Sequence, residues 1–413
     1  MAVPVGPWRS VVSVGIIMAM GRPLHPAFGS CVLAVLAACG GDREGAGPVT
    51  AANATSEDST ATDASTPAED AFAAELARLV APNVDPAGVP GKAVGMVAAV
   101  VGPGLRIVAG FGATSIGGPA PRPDTIFELG SLTKAVTGVL LARALDRGTV
   151  ALADPIDEVF PLGAPHFAGQ AIALLDLATH TSGLPGMPNN THSPDPRNPA
   201  AGYTDDDLAA FMSTHTLTSA PGARMVYSNL GAGTLGYYLV EDAGEASYEA
   251  LVLRDLATPL ELSDTRIVVP AGSQERLAQG YWQAAAAPAN QIGEPLAGAG
   301  ALRSTGADML RFVEAALGTG DPAVVAAWAR ALEPQRPSPV GQGGQIGLLI
   351  GRETIDGQYR YFKDGQTAGF TAFLLFSTSP PAAVVLLANT SDMAETGALK
   401  TLAHQILDAI PPA

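Results

Sequence analysis

A serine placed three residues before a lysine, at the head of an apolar stretch, is a pairing that can carry out acyl transfer. The stretch Phe127-Glu128-Leu129-Gly130-Ser131-Leu132-Thr133-Lys134 runs on into Ala135-Val136-Thr137-Gly138-Val139-Leu140-Leu141-Ala142. This pattern predicts a helix starting at or near Ser131 and stopping near Gly148, since glycine readily supplies a left-handed C-terminal stop. Three residues along a helix rise about 4.5 Å and return to the same face. Lys134 is therefore expected one turn above Ser131, on the same side. The helix is apolar nearly all round, so it should be buried and its lysine desolvated, which disfavours the charged form. A partly neutral amine beside a hydroxyl is a nucleophile–base pair. Free N–H groups at the helix start can also stabilise a developing oxyanion. The competing reading is that Ser131 merely caps the helix and Lys134 lies on the surface. Ser-x-x-Lys is a weak signal by itself, but capping does not account for a lysine inside so apolar a helix.

Two further stretches carry residue types suited to the same chemistry. Tyr227-Ser228-Asn229 follows Pro221-Gly222-Ala223-Arg224. A phenol with a pKa of about 10 is a poor base alone, but nearby lysines favour the phenolate. Asn229 offers both a donor and an acceptor, suited to orienting a lysine and a substrate amide. Read alone, this stretch is better taken as a buried tyrosine at a helix start. Lys363-Asp364-Gly365-Gln366-Thr367-Ala368-Gly369-Phe370 places a cation beside glycines that let a ligand approach a strand. Read alone, it is an ordinary strand turn.

The elements around these stretches must bring them together. Phe72, Leu76 and Leu79 fall at helical spacing after Asp70. Strand-like runs over 93–101 and 105–111 are joined by Gly102-Pro103-Gly104, a hairpin signal. From Ser131 to about 332 the pattern is mostly helical, broken by Pro/Gly loops; the longest, 183–202, carries five prolines. Strand patterns return over 345–351, 358–362, 370–376 and 383–388, and a final amphipathic helix covers 394–410. Strands at both ends with helices between predict one antiparallel sheet with an all-helical insertion. The boundary between the two, near Ser131 and Lys363, is a natural place for a cleft.

Composition narrows the classes. The chain has 413 residues, 47% hydrophobic and 15% charged, so a sizeable core is expected. Its net charge of −16 repels phosphate backbones and argues against nucleic acid as a partner. The only cysteines, Cys31 and Cys39, lie in the first 40 residues, so the body of the chain offers no disulfide, thiolate nucleophile or cysteine-bound zinc. None of the six histidines has metal-ligand spacing. Arg22, an apolar stretch over 27–38 and the sequence Leu36-Ala37-Ala38-Cys39 have the form of an export signal. The last four residues resemble the lipobox of bacterial lipoproteins, which predicts lipidation at Cys39. A second apolar run over 11–20 makes Met18 or Met20 an alternative start. Residues 40–69 are rich in small and polar types and read as a flexible tether. The expected organisation is thus a signal over 1–39, a tether over 40–69 and one domain over 70–413, with an α/β part over 70–130 and 340–413 and a helical part over 131–339.

In order and spacing, the three stretches together resemble the penicillin-recognising serine hydrolases, in particular the branch of class C β-lactamases and D-Ala-D-Ala carboxypeptidases. The resemblance extends to Leu177-Ala178-Thr179-His180-Thr181-Ser182-Gly183-Leu184-Pro185, to Pro259-Leu260-Glu261-Leu262, and to Leu302-Arg303-Ser304-Thr305 through Asp308-Met309. In the last of these, Thr305 and Asp308 also fit a helix capping box. It covers about residues 71–410. It implies an α+β fold: a five-stranded antiparallel sheet flanked by the terminal helices, with a large all-helical insertion. It implies Ser131 as nucleophile, Lys134 and Tyr227 as proton handlers, and Asn229 and Lys363 holding that network and the substrate. Gly365 and Gln366 would line the substrate, and the backbone N–H groups of Ser131 and Gln366 would form the oxyanion hole. No metal or organic cofactor is implied. The implied partners are a β-lactam or a D-Ala-D-Ala peptide and, through the lipid at Cys39, a membrane. The protein is expected to act as a monomer, exported to a bacterial periplasm or cell surface. Departures from the family pattern affect substrate choice. Asp364 stands where relatives often have threonine, and it reduces the positive charge that would attract a substrate carboxylate. Ala394 and Gly397 stand where class C enzymes have an asparagine and an arginine that grip the same group. The site therefore suits a serine β-lactamase, or else a D-Ala-D-Ala carboxypeptidase or small-ester hydrolase. A penicillin-binding sensor that stays acylated is a third reading, against which the complete Ser–Lys–Tyr–Lys set argues.

Overall fold

The computed structural model describes residues 66–412. The signal, Cys39 and nearly all of the tether lie outside the described residues. The first helix, α1 (Pro67–Val80), begins ahead of the expected Asp70: Thr66 accepts a hydrogen bond from Glu69 N at 3.2 Å, Glu69 returns the bond, and Pro67 follows at the first helical position. Its buried residues are Phe72, Leu76 and Val80.

The hairpin forms as β1 (Gly95–Gly102) and β2 (Leu105–Gly112). Strand β3 (Ile126–Glu128) leads into a single tight turn, Gly130–Leu132, and then into α2 (Thr133–Arg147), which ends on Gly148 at φ 70°. There follow α3 (Leu174–Ala178), α4 (Asp205–Thr214), α5 (Asn229–Ala243) and α6 (Tyr248–Val252). Next come β4 (Tyr281–Trp282), β5 (Ala285–Ala286), β6 (Arg303–Thr305), α7 (Gly306–Ala316) and α8 (Pro322–Ala331). The chain closes with β7 (Arg336–Pro337), β8 (Gln345–Ile346), β9 (Gly351–Ile355), β10 (Gln358–Gln366), β11 (Thr371–Thr378), β12 (Pro381–Ala388), α9 (Asp392–Thr396) and α10 (Ala398–Ala409).

The main sheet is antiparallel, in the order β2-β1-β12-β11-β10-β9-β8-β7. It has eight strands, not the five expected. The additional ones are mostly two-residue strands at one edge, too short to show an alternation in sequence. The expected strand over 345–351 is split, because Leu349 turns the chain at φ 62°. The middle of the chain is also not all-helical: β6 pairs with β3, β4 pairs with β5, and long irregular loops separate α2 to α6. The final helix is broken by Gly397 at φ 67°. Of the Thr305–Asp308 capping box only half forms. Thr305 accepts from Asp308 N, while the Asp308 carboxylate accepts from Asp264 N and Thr265 Oγ1 instead.

The central strands are buried on both faces, so they read as continuous apolar runs. Val97, Val385 and Leu374 face a core shared with α2, α7 and α8, whereas Met96, Val384 and Leu375 face α1 and α10. The result is three layers, with terminal helices on one face of the sheet and the helix-rich part on the other.

Candidate active site

The Ser131 turn is pressed against β10 by two glycines. A Cβ on Gly365 would lie 2.0 Å from Leu129 O and 2.8 Å from Leu132 N, and one on Gly130 would lie 2.5 Å from Gln366 O. Gly130 also holds φ 50°, a left-handed conformation that favours glycine. Gly365 thus makes room for the backbone of the Ser131 turn, where the sequence suggested room for a ligand. Gln366 and Ser131 line one cavity of about 260 Å³ together with Asn229, Thr367, Met187 and Ile292.

Lys134 is fully buried inside α2. Its Nζ lies 3.0 Å from Ser131 Oγ, 2.7 Å from Asn229 Oδ1 and 2.6 Å from Ala299 O. Burial lowers its pKa; the charge of Lys363 pushes the same way, and Tyr227 opposes both. The two oxygens of Asn229 and Ala299 can only accept. A neutral amine has two N–H bonds to give them, which leaves its lone pair for the Ser131 hydroxyl.

Tyr227 precedes α5 and is about half exposed. Lys134 Nζ is 4.9 Å and Lys363 Nζ 5.5 Å from its ring centre. Burial of the phenol raises its pKa. The charges of Lys363 and Lys134, with hydrogen bonds from Lys134 and Ser131, outweigh that and bring it down to about 8. Asn229 is set by the start of α5, where Ser228 accepts from Gly231 N at 2.8 Å.

Lys363 is buried on β10 and donates to Asp364 O at 2.8 Å and to Asp364 Oδ1 at 2.9 Å. Desolvation lowers its pKa, but the opposing charges of Tyr227 and Asp364 leave it raised. The Lys363 ammonium holds the Asp364 carboxyl down to about 2. Asp364 is thus tied to the lysine that the family pattern would leave to the substrate.

The structure therefore brings Ser131, Lys134, Tyr227, Asn229, Lys363, Gly365 and Gln366 into one place. Two contacts were not foreseen. The Ala299 carbonyl is a backbone group with no sequence signal, and His180 lies against Tyr227. The His180 stretch is visible in the sequence only as a family-like segment. Ala394 and Gly397 carry no cation, and α9 and its break are what occupy that stretch.

Lys134 buried beside Ser131, Tyr227 between two lysines, and the end of β10 against the Ser131 turn make a site suited to acyl transfer. The chain matches the family "Beta-lactamase" over residues 76–408, and it belongs to that family. Among curated relatives, D-alanyl-D-alanine-carboxypeptidase/endopeptidase AmpH of Escherichia coli (strain K12) is 33% identical over 227 residues, 54% of this chain. The match spans only 57% of that relative's length. "Beta-lactamase" of the same strain is 28% identical over 345 residues, 76% of this chain and 87% of the relative. Solved structures show the same fold. "A class C beta-lactamase" superposes with a TM-score of 0.71 at 23% identity, covering 84% of this chain and 98% of that one. D-alanine Carboxypeptidase AmpC from Burkholderia cenocepacia gives 0.68 at 23% identity, covering 83% and 99%.

Proposed function

We propose that the protein is a class C-like serine β-lactamase that hydrolyses β-lactam amides through an acyl-enzyme on Ser131. The observation that carries this reading is the Lys134 amine, 3.0 Å from Ser131 Oγ, with the Asn229 and Ala299 oxygens taking its N–H bonds. Ser131 Oγ attacks the carbonyl carbon and its proton passes to Lys134 Nζ. The oxyanion is held by the N–H groups of Ser131 and Gln366. The C–N bond then breaks as the amide nitrogen takes a proton from the Tyr227 phenol, which Lys134 reprotonates. Water attacks the ester by the reverse exchange. The Lys134–Tyr227 pair takes up one proton at each attack and returns one at each collapse, so its charge is unchanged over a cycle.

A second reading is a D-Ala-D-Ala carboxypeptidase or small-ester hydrolase on the same residues, and its ester branch, whose substrate needs no carboxylate, draws support from one observation: Asp364 occupies Lys363 at 2.9 Å. A lysine so engaged attracts a substrate carboxylate less. Both readings go with export and a lipid anchor at Cys39, at the periplasmic face or cell surface. Steady-state assays with nitrocefin, an acyl-D-Ala-D-Ala peptide and p-nitrophenyl acetate separate them. The β-lactamase reading expects the highest kcat/KM for nitrocefin; turnover of the ester or the peptide alone selects the second. In either case Ser131→Ala should abolish turnover and labelling by a fluorophosphonate, and normal labelling of the folded variant would remove Ser131 from the mechanism.

A further inference from the structure

Lys134 and Ser131 reach the Tyr227 phenol but not its backbone. It stands just ahead of α5, about half exposed, on a segment with no strand or helix of its own. A half-exposed tyrosine on such a segment has backbone states to lose before it can serve as a proton handler. What holds it is His180, which is only 4% exposed.

The contacts are threefold. The His180 carbonyl accepts the N–H of Val226 at 2.8 Å. Its Nδ1 accepts the N–H of Ser228 at 3.2 Å. Both residues flanking Tyr227 are therefore anchored on one histidine. The imidazole ring also lies against the phenol ring, with centres 4.6 Å apart and planes tilted by 41°. To reach this position the His180 backbone adopts φ 58°, a left-handed conformation that non-glycine residues rarely hold unless the surroundings compensate.

We infer that His180 is a positioning residue for Tyr227: it fixes the backbone on both sides of the tyrosine and the plane of its ring. This rests on the reading that Tyr227 handles protons. The role asks for a neutral imidazole, since Nδ1 accepts only when it carries no proton. Burial, then the charges of Lys134 and Lys363, hold the histidine at about 3. Lys134, Lys363 and the Tyr227 phenol are the titratable groups that face it. A neutral ring gives the acceptor without adding a further positive charge beside the phenol.

A double-mutant cycle on the full chain tests this, with kcat and KM read per folded protein by circular dichroism. His180→Ala should lower kcat about 100-fold, the cost of a misplaced catalytic group, with KM within about twofold. His180→Asn keeps an acceptor near the Nδ1 position and tolerates left-handed backbone, so it should recover about tenfold over the alanine variant. In a Tyr227→Phe background, His180→Ala should cost less than about threefold, because the group it positions is gone. A kcat for His180→Ala within about threefold of wild type overturns the inference, and so does the same full loss in both backgrounds. If the alanine variant does not fold, His180→Asn goes through the same cycle: a loss confined to the Tyr227 background supports the role, and an equal or absent loss overturns it. Should Tyr227→Phe itself retain wild-type kcat, the proton-handling reading fails first, which is a separate outcome from a failure of His180 alone.

Discussion

At the scale of single residues, the site turns on charges kept close together in a dry place. Two lysines flank Tyr227, and their charges bring its phenol to about 8. The sign is that of an acid whose charged form is favoured: phenolate appears as pH rises through about 8, well before an ordinary tyrosine ionises. An ultraviolet difference titration should therefore show one tyrosinate step near pH 8 that is missing in Tyr227→Phe; the same step in the variant would assign it elsewhere. Asp364 is the residue that departs most from the family pattern. Its carboxyl is held at about 2 by Lys363, against an ordinary value of 3.8. The pairing contributes above the unfolded value and is lost as pH falls through about 2. With the Asp364 side chain 68% exposed, water screens the pair, and it is worth under about 1 kcal/mol of stability. Its larger effect is on binding. Asp364→Thr should raise kcat/KM for cephalosporins about tenfold, about 1.4 kcal/mol, and leave neutral-ester hydrolysis nearly unchanged. Equal effects on both substrates would show that Asp364 does not read the carboxylate.

At the scale of elements, the site is a seam between the start of α2 and the end of β10. The seam is tight because neither partner presents a side chain there. Gly365→Ala puts a methyl 2.0 Å from Leu129 O, a backbone atom that cannot rotate aside. Overpacking of this kind costs about 1–3 kcal/mol, so the variant should melt lower. Because the displaced turn carries Ser131, kcat should also fall more than about tenfold. A stable variant with wild-type kcat would mean the seam does not set the nucleophile. Helix α2 was readable in outline, since an apolar run ending on glycine has few other solutions. The hairpin β1–β2 was equally clear from Gly102-Pro103-Gly104. The short strands β4 to β7 were not, because two or three residues hold no period.

For the whole molecule, the sheet separates two cores, and the terminal helices α1 and α10 close one of them. We predict that the mature protein starts at Cys39 and carries lipid there, from Leu36-Ala37-Ala38-Cys39 and the polar stretch that follows. Mass spectrometry of the membrane fraction checks this. An unmodified N-terminus downstream of Cys39 would contradict it.

The sequence alone placed Lys134 beside Ser131, since three residues along a helical path return to the same face. It also determined the α+β class and the presence of Tyr227, Asn229 and Lys363 as candidates, through motif order. It could not say that Ala299 completes the Lys134 shell, that His180 supports Tyr227, or that Asp364 ties up Lys363. These depend on residues 48 to 165 positions apart, or on which way a neighbouring side chain turns. Local periodicity carries no information about contacts at that separation. They exist only once burial of the cores has brought α2, α5 and β10 together.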